Sequence, residues 1–271
     1  MNDIKLICCD IDGTLIRDDK SLSEENIRWI QRAVKEKNVR FTIVSGRMYS
    51  AVIHFYGTIG VKGPASCING ALLYDSDGNV IGDHRITIDI AERIYRIARD
   101  FHIDMLMIAD NRWYTEKHEG FLYSAKLPIY RQDSILADLG TLIRSEEANK
   151  ILFMSPDPHL LDSLRAEIRK EIAPSDASFY YGNDFLELMP GGVNKGTAID
   201  DLSSYYGIDK SEIMALGDDF NDIEMLSKTG YSIAMGNAAD TVKSSAHYTT
   251  DTNEADGVAR AIERFFPYMR G

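Results

Sequence analysis

The amino-acid sequence predicts an α/β protein: a parallel sheet built from both ends of the chain, with a mixed α+β segment inserted between them. Three observations lead there. Short apolar runs such as "IKLICC", "VRFTIV" and "EIMALG" alternate with segments of helical period near both ends, which is the rhythm of parallel strands joined by helices. That rhythm lapses between about residues 84 and 189, where strand–turn–strand patterns and isolated helices appear, and it resumes afterwards. Acidic or Ser-Gly turns close several of the terminal apolar runs. Residues 1–83 and 190–271 are therefore expected to form one core, with 84–189 as an inserted domain able to cover a crevice at the strand ends.

Each element has its own reason. "IKLICC" is a buried strand that ends at the glycine turn "DGT". "SLSEENIRWIQRAVKEKN" has a helical period, with Ser23 as N-cap and Ile27, Ile30 and Val34 on one face. "VRFTIVSGR" is a second strand breaking at Ser45-Gly46, "MYSAVIHFYGTIG" a helix and "ASCINGALLY" a third strand. Asp77-Gly78 marks a hairpin. In the insert, "IDIAERIYRIARDFHI" is helical and "MLMIADNRWYTE" reads strand–turn–strand. "KILFMSP" is a strand, "DPHLLDSLRAEIRKEI" a helix and "SFYYGNDFLELMP" strand material. The α/β rhythm returns with the helix "NKGTAIDDLSSYYGI". It continues through the strand–turn–helix "EIMALGDDFNDIEMLSKTG", the strands "YSIAMGN" and "AHYTT", and the closing helix "DGVARAIERFF".

Bulk properties narrow the function. Lys and Arg number 30 against 42 Asp and Glu, a net charge of -12 over 271 residues. That argues against a non-specific nucleic-acid binder, which needs a basic footprint, yet allows a small anionic ligand beside a bound cation. Cys8, Cys9 and Cys67 all lie in or beside apolar runs, as reduced core cysteines do. No basic, apolar leader precedes the first strand and no apolar run is long enough to span a bilayer. The expected location is the cytoplasm, away from membranes. The six histidines have no metal-ligand spacing.

Two acidic turns carry the chemistry. Asp10 and Asp12 follow the first strand; Asp218 follows the strand "IMALG", with Asn221 and Asp222 entering the next helix. Such carboxylates converge only if their strands are neighbours. A hard divalent cation such as Mg2+, which takes oxygen ligands, would cancel their repulsion. An Asp-Gly pair on its own is an ordinary turn, so the second acidic turn is what adds weight. Ser45, Gly46 and Arg47 form a hydroxyl–glycine turn suited to an anion, although strand-to-helix turns often look like this. Lys195, at a probable helix start, gains nothing from the helix dipole there; an adjacent anion would explain it.

These segments in this order, "DIDGTL", "VSGR", Lys195 in "NKG" and "GDDFND", resemble the haloacid dehalogenase-like hydrolase superfamily, most closely its Cof-type phosphatases with a large inserted type IIB cap. The companion stretches "INGALLYDSDG" and "LELMPGGVNKG" extend the resemblance over essentially the whole chain. It implies a Rossmann-like core and an inserted cap for substrate selection. It also implies Asp10 as nucleophile, Asp12 as general acid/base, Ser45 with Gly46 as phosphate seat, and Lys195 as the cation steadying phosphate and nucleophile. Mg2+ would be held by Asp10, the main-chain carbonyl of Asp12 and Asp218. Asn221 would support the phosphate and Asp222 the metal site, with Asp219 in at most a supporting role.

Asn69, Gly70 and Arg47 are candidate substrate contacts, as are Arg112, Trp113, Tyr114, Lys117 and His118 in the insert. The expected partner is a small phosphorylated metabolite, a sugar phosphate or pyridoxal phosphate first, with no nucleic acid and no membrane. Monomer or homodimer stays open. Two alternatives stand beside hydrolysis: a sugar phosphomutase of the phosphomannomutase type, and a phosphometabolite-binding protein without turnover.

Overall fold

A computed structural model of the chain describes residues 3–121, 124 and 134–266. It divides into two compact units, one of Met1–Gly82 with Asn194–Gly271 and one of Asp83–Val193. No helix among the described residues is long and apolar enough to cross a membrane.

The first unit is an eight-stranded sheet in the order β14-β13-β12-β1-β2-β3-β4-β5. Its centre is β1 (Leu6–Cys9), buried at every position. It lies parallel to β2 (Arg40–Val44) on one side and β12 (Ile213–Gly217) on the other, with Cys9 level with Ile43 and Leu216. Strands buried on both faces carry continuous apolar runs, as "LICC" and "IMALG" do. Beyond β12 come β13 (Tyr231–Ala234) and β14 (Tyr248–Thr249), each parallel to its neighbour. The three strands carrying the acidic and Ser-Gly turns are thus adjacent, and their carboxyl ends emerge together.

The helix Glu24–Lys37 begins at Ser23, whose Oγ accepts the Asn26 N–H at 3.1 Å. Its buried face is Asn26, Trp29, Ile30 and Ala33, with Ile27 and Val34 only part-buried. The apolar stripe read from the sequence is therefore displaced, because a polar residue occupies a core position. Asn26 does so with its hydrogen bonds met: Nδ2 donates to the Leu15 carbonyl at 3.2 Å and Oδ1 accepts the Ala259 N–H at 2.9 Å.

"ASCINGALLY" is not one strand. It is β3 (Ala65–Cys67) and β4 (Leu72–Tyr74), antiparallel to each other across the turn Ile68–Gly70. Ile68 and Asn69 both have φ of 52° and Gly70 a φ of 93°, and these left-handed residues reverse the chain. A Cβ on Gly70 would stand 2.3 Å from the Asn194 carbonyl oxygen. The turn consequently packs directly on the N-terminus of the helix Lys195–Tyr206. β5 (Val80–Asp83) follows a second turn, in which Asp75 Oδ1 accepts the N–H groups of Asp77 and Asn79.

The inserted unit is a six-stranded sheet in the order β10-β11-β9-β6-β7-β8. These strands are β6 (Asp104–Ala109), β7 (Arg112–Thr115), β8 (Ser134–Leu136), β9 (Lys150–Met154), β10 (Ala177–Tyr181) and β11 (Phe185–Pro190). The helices Ile88–Arg99 and Pro158–Glu171 bury Ile94, Leu161, Leu164 and Ile168 against Met107, Ile151, Phe153 and Leu188. Asp157 caps the second of these helices and Pro158 takes its first turn, where its missing N–H costs nothing.

Gly70→Ala should destabilise the chain by about 1–3 kcal/mol, since it forces a side chain into left-handed backbone and onto a neighbouring carbonyl. Urea unfolding followed by circular dichroism checks this; an unchanged midpoint contradicts the packing described.

Candidate active site

Asp10 is the first residue past β1, and its N–H donates to the Leu216 carbonyl at 3.0 Å, continuing the β12 ladder by one step. After it the chain tightens: the Thr14 and Leu15 N–H groups both donate to the Ile11 carbonyl, with Ile11 fully buried. Gly13 adopts a φ of 75°, and a Cβ there would lie 2.1 Å from Asp218 Oδ2. Only glycine lets the first acidic turn approach the second this closely.

Lys195 opens the helix Lys195–Tyr206, capped by Asn194, whose Oδ1 accepts the Gly196 N–H at 2.8 Å. Its ammonium is buried and sits 2.6 Å from both Asp10 Oδ1 and Asp222 Oδ1. Asp222 is fully buried, and its second oxygen accepts the N–H groups of Asp218 at 2.9 Å and Asp219 at 3.0 Å. Gly217 makes that fold-back possible, since a Cβ there would be 2.5 Å from the Asp222 side chain.

One lysine thus serves two buried carboxylates, and a third carboxylate stands beside them. Oxygens of Asp10, Asp218 and Asp222 all lie within 4.8 Å of one another. Burial pushes Asp10 up to about 8; Lys195 opposes this, and Asp222 and Asp218 add to it. Burial also raises Asp218 to about 6, against the hydrogen bond from Thr14. Burial alone would lower Lys195, yet Asp10 and Asp222 outweigh it and hold the ammonium above its ordinary value. The cluster has surplus negative charge and all-oxygen donors, which is the set a hard divalent cation takes. Asp10 and Asp218 are the carboxylates best placed to bind one, since Asp222 is fully buried with one oxygen on Lys195 and the other on two main-chain N–H groups, whereas Asp218 is only part-buried.

Asp218 is itself held from two sides. Thr14 Oγ1 donates to its Oδ1 at 2.9 Å, and Asn237 Nδ2 donates to its Oδ2 at 3.2 Å and to the Gly13 carbonyl at 2.8 Å. Thr14 lies inside the first acidic motif, but no pattern in the sequence marks Asn237, which follows β13 and reaches the site through the sheet order alone.

The Asp12 side chain points elsewhere. Arg47 Nε donates to its Oδ2 and Nη2 to its Oδ1, each at 2.7 Å, and Lys20 Nζ lies 3.1 Å from Oδ1. Burial would raise this carboxyl, but the Arg47 and Lys20 hydrogen bonds outweigh it and hold it below the ordinary range. Ser45 is buried, and its Oγ accepts the Arg47 N–H at 3.2 Å. Asn221 Nδ2 donates to Asn69 Oδ1 at 3.1 Å, and that same oxygen would be 3.0 Å from a Cβ on Gly46. Gly46, Asn69 and Asn221 therefore meet, and Gly70 completes the turn beside them. The sequence marks Arg47 as part of the anion-suited Ser45-Gly46 turn and as a candidate substrate contact, and it does not mark Lys20. The Asp12–Arg47 pair spans 35 residues, and nothing local announces it. Among the cysteines, Cys8, Cys9 and Cys67 are all buried and free, with thiols pushed up by burial, so they are core residues rather than nucleophiles.

Comparison with known proteins places this geometry. A family model described as haloacid dehalogenase-like hydrolase matches residues 7–262. The chain is 29% identical to the 5-amino-6-(5-phospho-D-ribitylamino)uracil phosphatase YitU of Bacillus subtilis (strain 168), over 96% of this chain and 97% of that one. It is 27% identical to the pyridoxal phosphate phosphatase YbhA of Escherichia coli (strain K12), over 95% and 97%. The crystal structure of a haloacid dehalogenase-like hydrolase from Bacteroides thetaiotaomicron superposes with a TM-score of 0.87 at 27% identity, covering 97% of this chain and 100% of that one.

Because Asp10 and Asp218 hold protons easily in this cluster, a cation that needs them ionised should displace protons. Mg2+ titrated into metal-free protein at pH 7 should give a calorimetric enthalpy that scales with the buffer's ionisation enthalpy. Asp218→Asn should weaken binding at least about tenfold. Buffer-independent enthalpy, or full affinity in the variant, contradicts the assignment.

Proposed function

The chain belongs to the haloacid dehalogenase-like hydrolase family, and from that premise we propose that it hydrolyses phosphomonoesters of small metabolites, with Mg2+ as cofactor and Asp10 as nucleophile. The observation that carries the reading is the buried ammonium of Lys195, 2.6 Å from Asp10 and from Asp222, inside a three-carboxylate cluster. A plain structural ion pair would match one cation to one anion. Here the excess acid calls for a second cation and the free face of Asp10 for an electrophile.

Asp10, Asp218 and the main-chain carbonyl of Asp12 would hold Mg2+, which supplies charge neutralisation for an anionic ester. The protein's own groups do the rest. A carboxylate oxygen of Asp10 attacks phosphorus in line and forms an aspartyl-phosphate. The ester P–O bond breaks with its electron pair leaving on oxygen. Asp12, whose carboxyl Arg47 and Lys20 hold below the ordinary range in the free protein, takes up a proton from solvent as substrate binds and passes it to that oxygen to make an alcohol. Water then attacks the phosphorus and gives its proton to Asp12. The bond to Asp10 breaks, returning the pair to the carboxylate and releasing phosphate. Lys195 steadies the Asp10 carboxylate and the incoming phosphoryl oxygens. The Ser45 hydroxyl and the Gly46 N–H hold those oxygens, and Asn221 keeps Asn69 against that turn.

Two relatives named for different esters, one a phosphorylated ribityl-pyrimidine and one a pyridoxal phosphate, support a small organic phosphate as substrate. Pyridoxal phosphate and sugar or sugar-alcohol phosphates are the first compounds to try. The inserted residues 84–189 and, in the core, Asn69 and Gly70 are the candidates for selecting the leaving group. Hydrolysis is preferred to phosphoryl return because both of these relatives are named as phosphatases.

A screen of metabolite phosphomonoesters with Mg2+, read as released phosphate, tests the proposal. Asp10→Asn should lose turnover on every substrate while its circular dichroism stays native, and Asp12→Ala should lose roughly 10²–10⁴-fold. Activity retained in Asp10→Asn, or isomerised phosphosugar without free phosphate, contradicts it.

A further inference from the structure

The site contains two separate cation–carboxylate sets, and the mechanism above uses the cation of only one. Lys195 serves Asp10 and Asp222; Arg47 and Lys20 serve Asp12. We propose that Arg47 is a positioning residue for proton transfer, its guanidinium fork fixing the Asp12 carboxyl in the orientation from which it gives and takes protons. This rests on the phosphatase reading and goes beyond it, by turning a candidate substrate contact into an orienting group.

The geometry supports this in four ways. The contact is a two-point one: Nε reaches Oδ2 and Nη2 reaches Oδ1, each at 2.7 Å. Parallel bonds of this kind set the plane of the carboxyl as well as its position. Asp12 needs such a constraint, because its side chain is 45% exposed and stands next to Gly13 in left-handed backbone. Arg47 in turn is backed by the Phe55 ring, 5.7 Å below the guanidinium. The same short turn carries Ser45, whose Oγ accepts the Arg47 N–H, so the phosphate seat and the proton-transfer group are tied to one piece of backbone.

A guanidinium also suits the task chemically. It stays charged and has no acceptor, so it orients Asp12 without exchanging protons with it. Each carboxyl oxygen has two lone-pair sites, which lets Asp12 keep the fork while one oxygen handles the proton. The balance is that of the two steps above: one proton leaves Asp12 for the departing oxygen, and one returns to it from water.

An orienting role predicts a kinetic pattern that loss of phosphate binding or of folding would not. p-Nitrophenolate departs without needing a proton, whereas an alkoxide needs one. In Arg47→Ala, phosphoryl transfer from an alkyl phosphate should slow about tenfold to a hundredfold. Transfer from p-nitrophenyl phosphate should fall at least about ten times less. Breakdown of the aspartyl-phosphate still needs Asp12 as base and should slow with both esters, so the p-nitrophenol burst should grow towards one per enzyme. Arg47→Lys keeps the charge without the fork and should recover only part of the loss. In an Asp12→Asn background, Arg47→Ala should cost little more, since the two act as a unit. Stopped-flow and quench measurements with Mg2+ read all of this. If burst and steady-state rates fall together on both esters, if neither moves, or if the losses add in the double variant, the assignment is overturned. A wild-type enzyme silent on both esters would instead remove the phosphatase reading, and this inference with it.

Discussion

The ammonium of Lys195 is the constraint on which the rest of the core is arranged. Burying an ammonium is costly unless it is paired and hydrogen-bonded, and here it meets two buried carboxylates at 2.6 Å each. Burial drives Asp10 towards its protonated form, with Asp222 and Asp218 adding to it and Lys195 opposing; one positive charge divided between two acids leaves room for a second cation.

Three loops have to converge for that contact to exist, and each depends on backbone rather than side chains. The central position of β1 between β12 and β2 brings the turns after Cys9, Gly217 and Val44 to one edge. Gly13 allows the first turn to lie against Asp218, and Gly217 allows Asp222 to fold back under the second. Gly70 lets the β3–β4 turn press on Asn194, the cap of the helix that begins with Lys195. Ligands of open α/β sheets sit beyond the carboxyl ends of the strands; in this chain that position is enforced by close backbone approaches at a few glycines.

Much of this was legible from residues alone, and the reasons differ between parts. The buried parallel strands announce themselves as continuous apolar runs, and the acidic turns as charges where such runs stop. "ASCINGALLY" misled because apolar residues flank the turn on both sides, although Asn69-Gly70 is a dipeptide that readily takes left-handed backbone, and the chain reverses there. The face of the helix Glu24–Lys37 was displaced by Asn26, a polar residue whose burial depends on partners at Leu15 and Ala259. Hydropathy periodicity has no means of seeing such a partner. Among the site residues, Asp10, Lys195, Asp218 and Asp222 stand in recognisable motifs and meet in space. Thr14 and Asn237 join them through contacts between distant segments, and the pairing of Arg47 with Asp12 is of the same kind; Lys20 joins the separate Asp12 set from eight residues away.

Two aspartates two positions apart end with different surroundings, and their chemistry follows from that. Asp10 is buried with a lysine and other acids, and is the group proposed to bond to phosphorus; Asp12 is half-exposed and held by cations that keep it apart from the cluster. The most direct test of that division is to trap the covalent intermediate and locate it. Wild-type protein quenched during turnover with Mg2+ and a phosphomonoester, reduced with borohydride and digested, should carry homoserine at position 10 by peptide mass spectrometry. Homoserine at position 12, or turnover with no modified residue in the trapped enzyme, would contradict Asp10 as the group that attacks phosphorus.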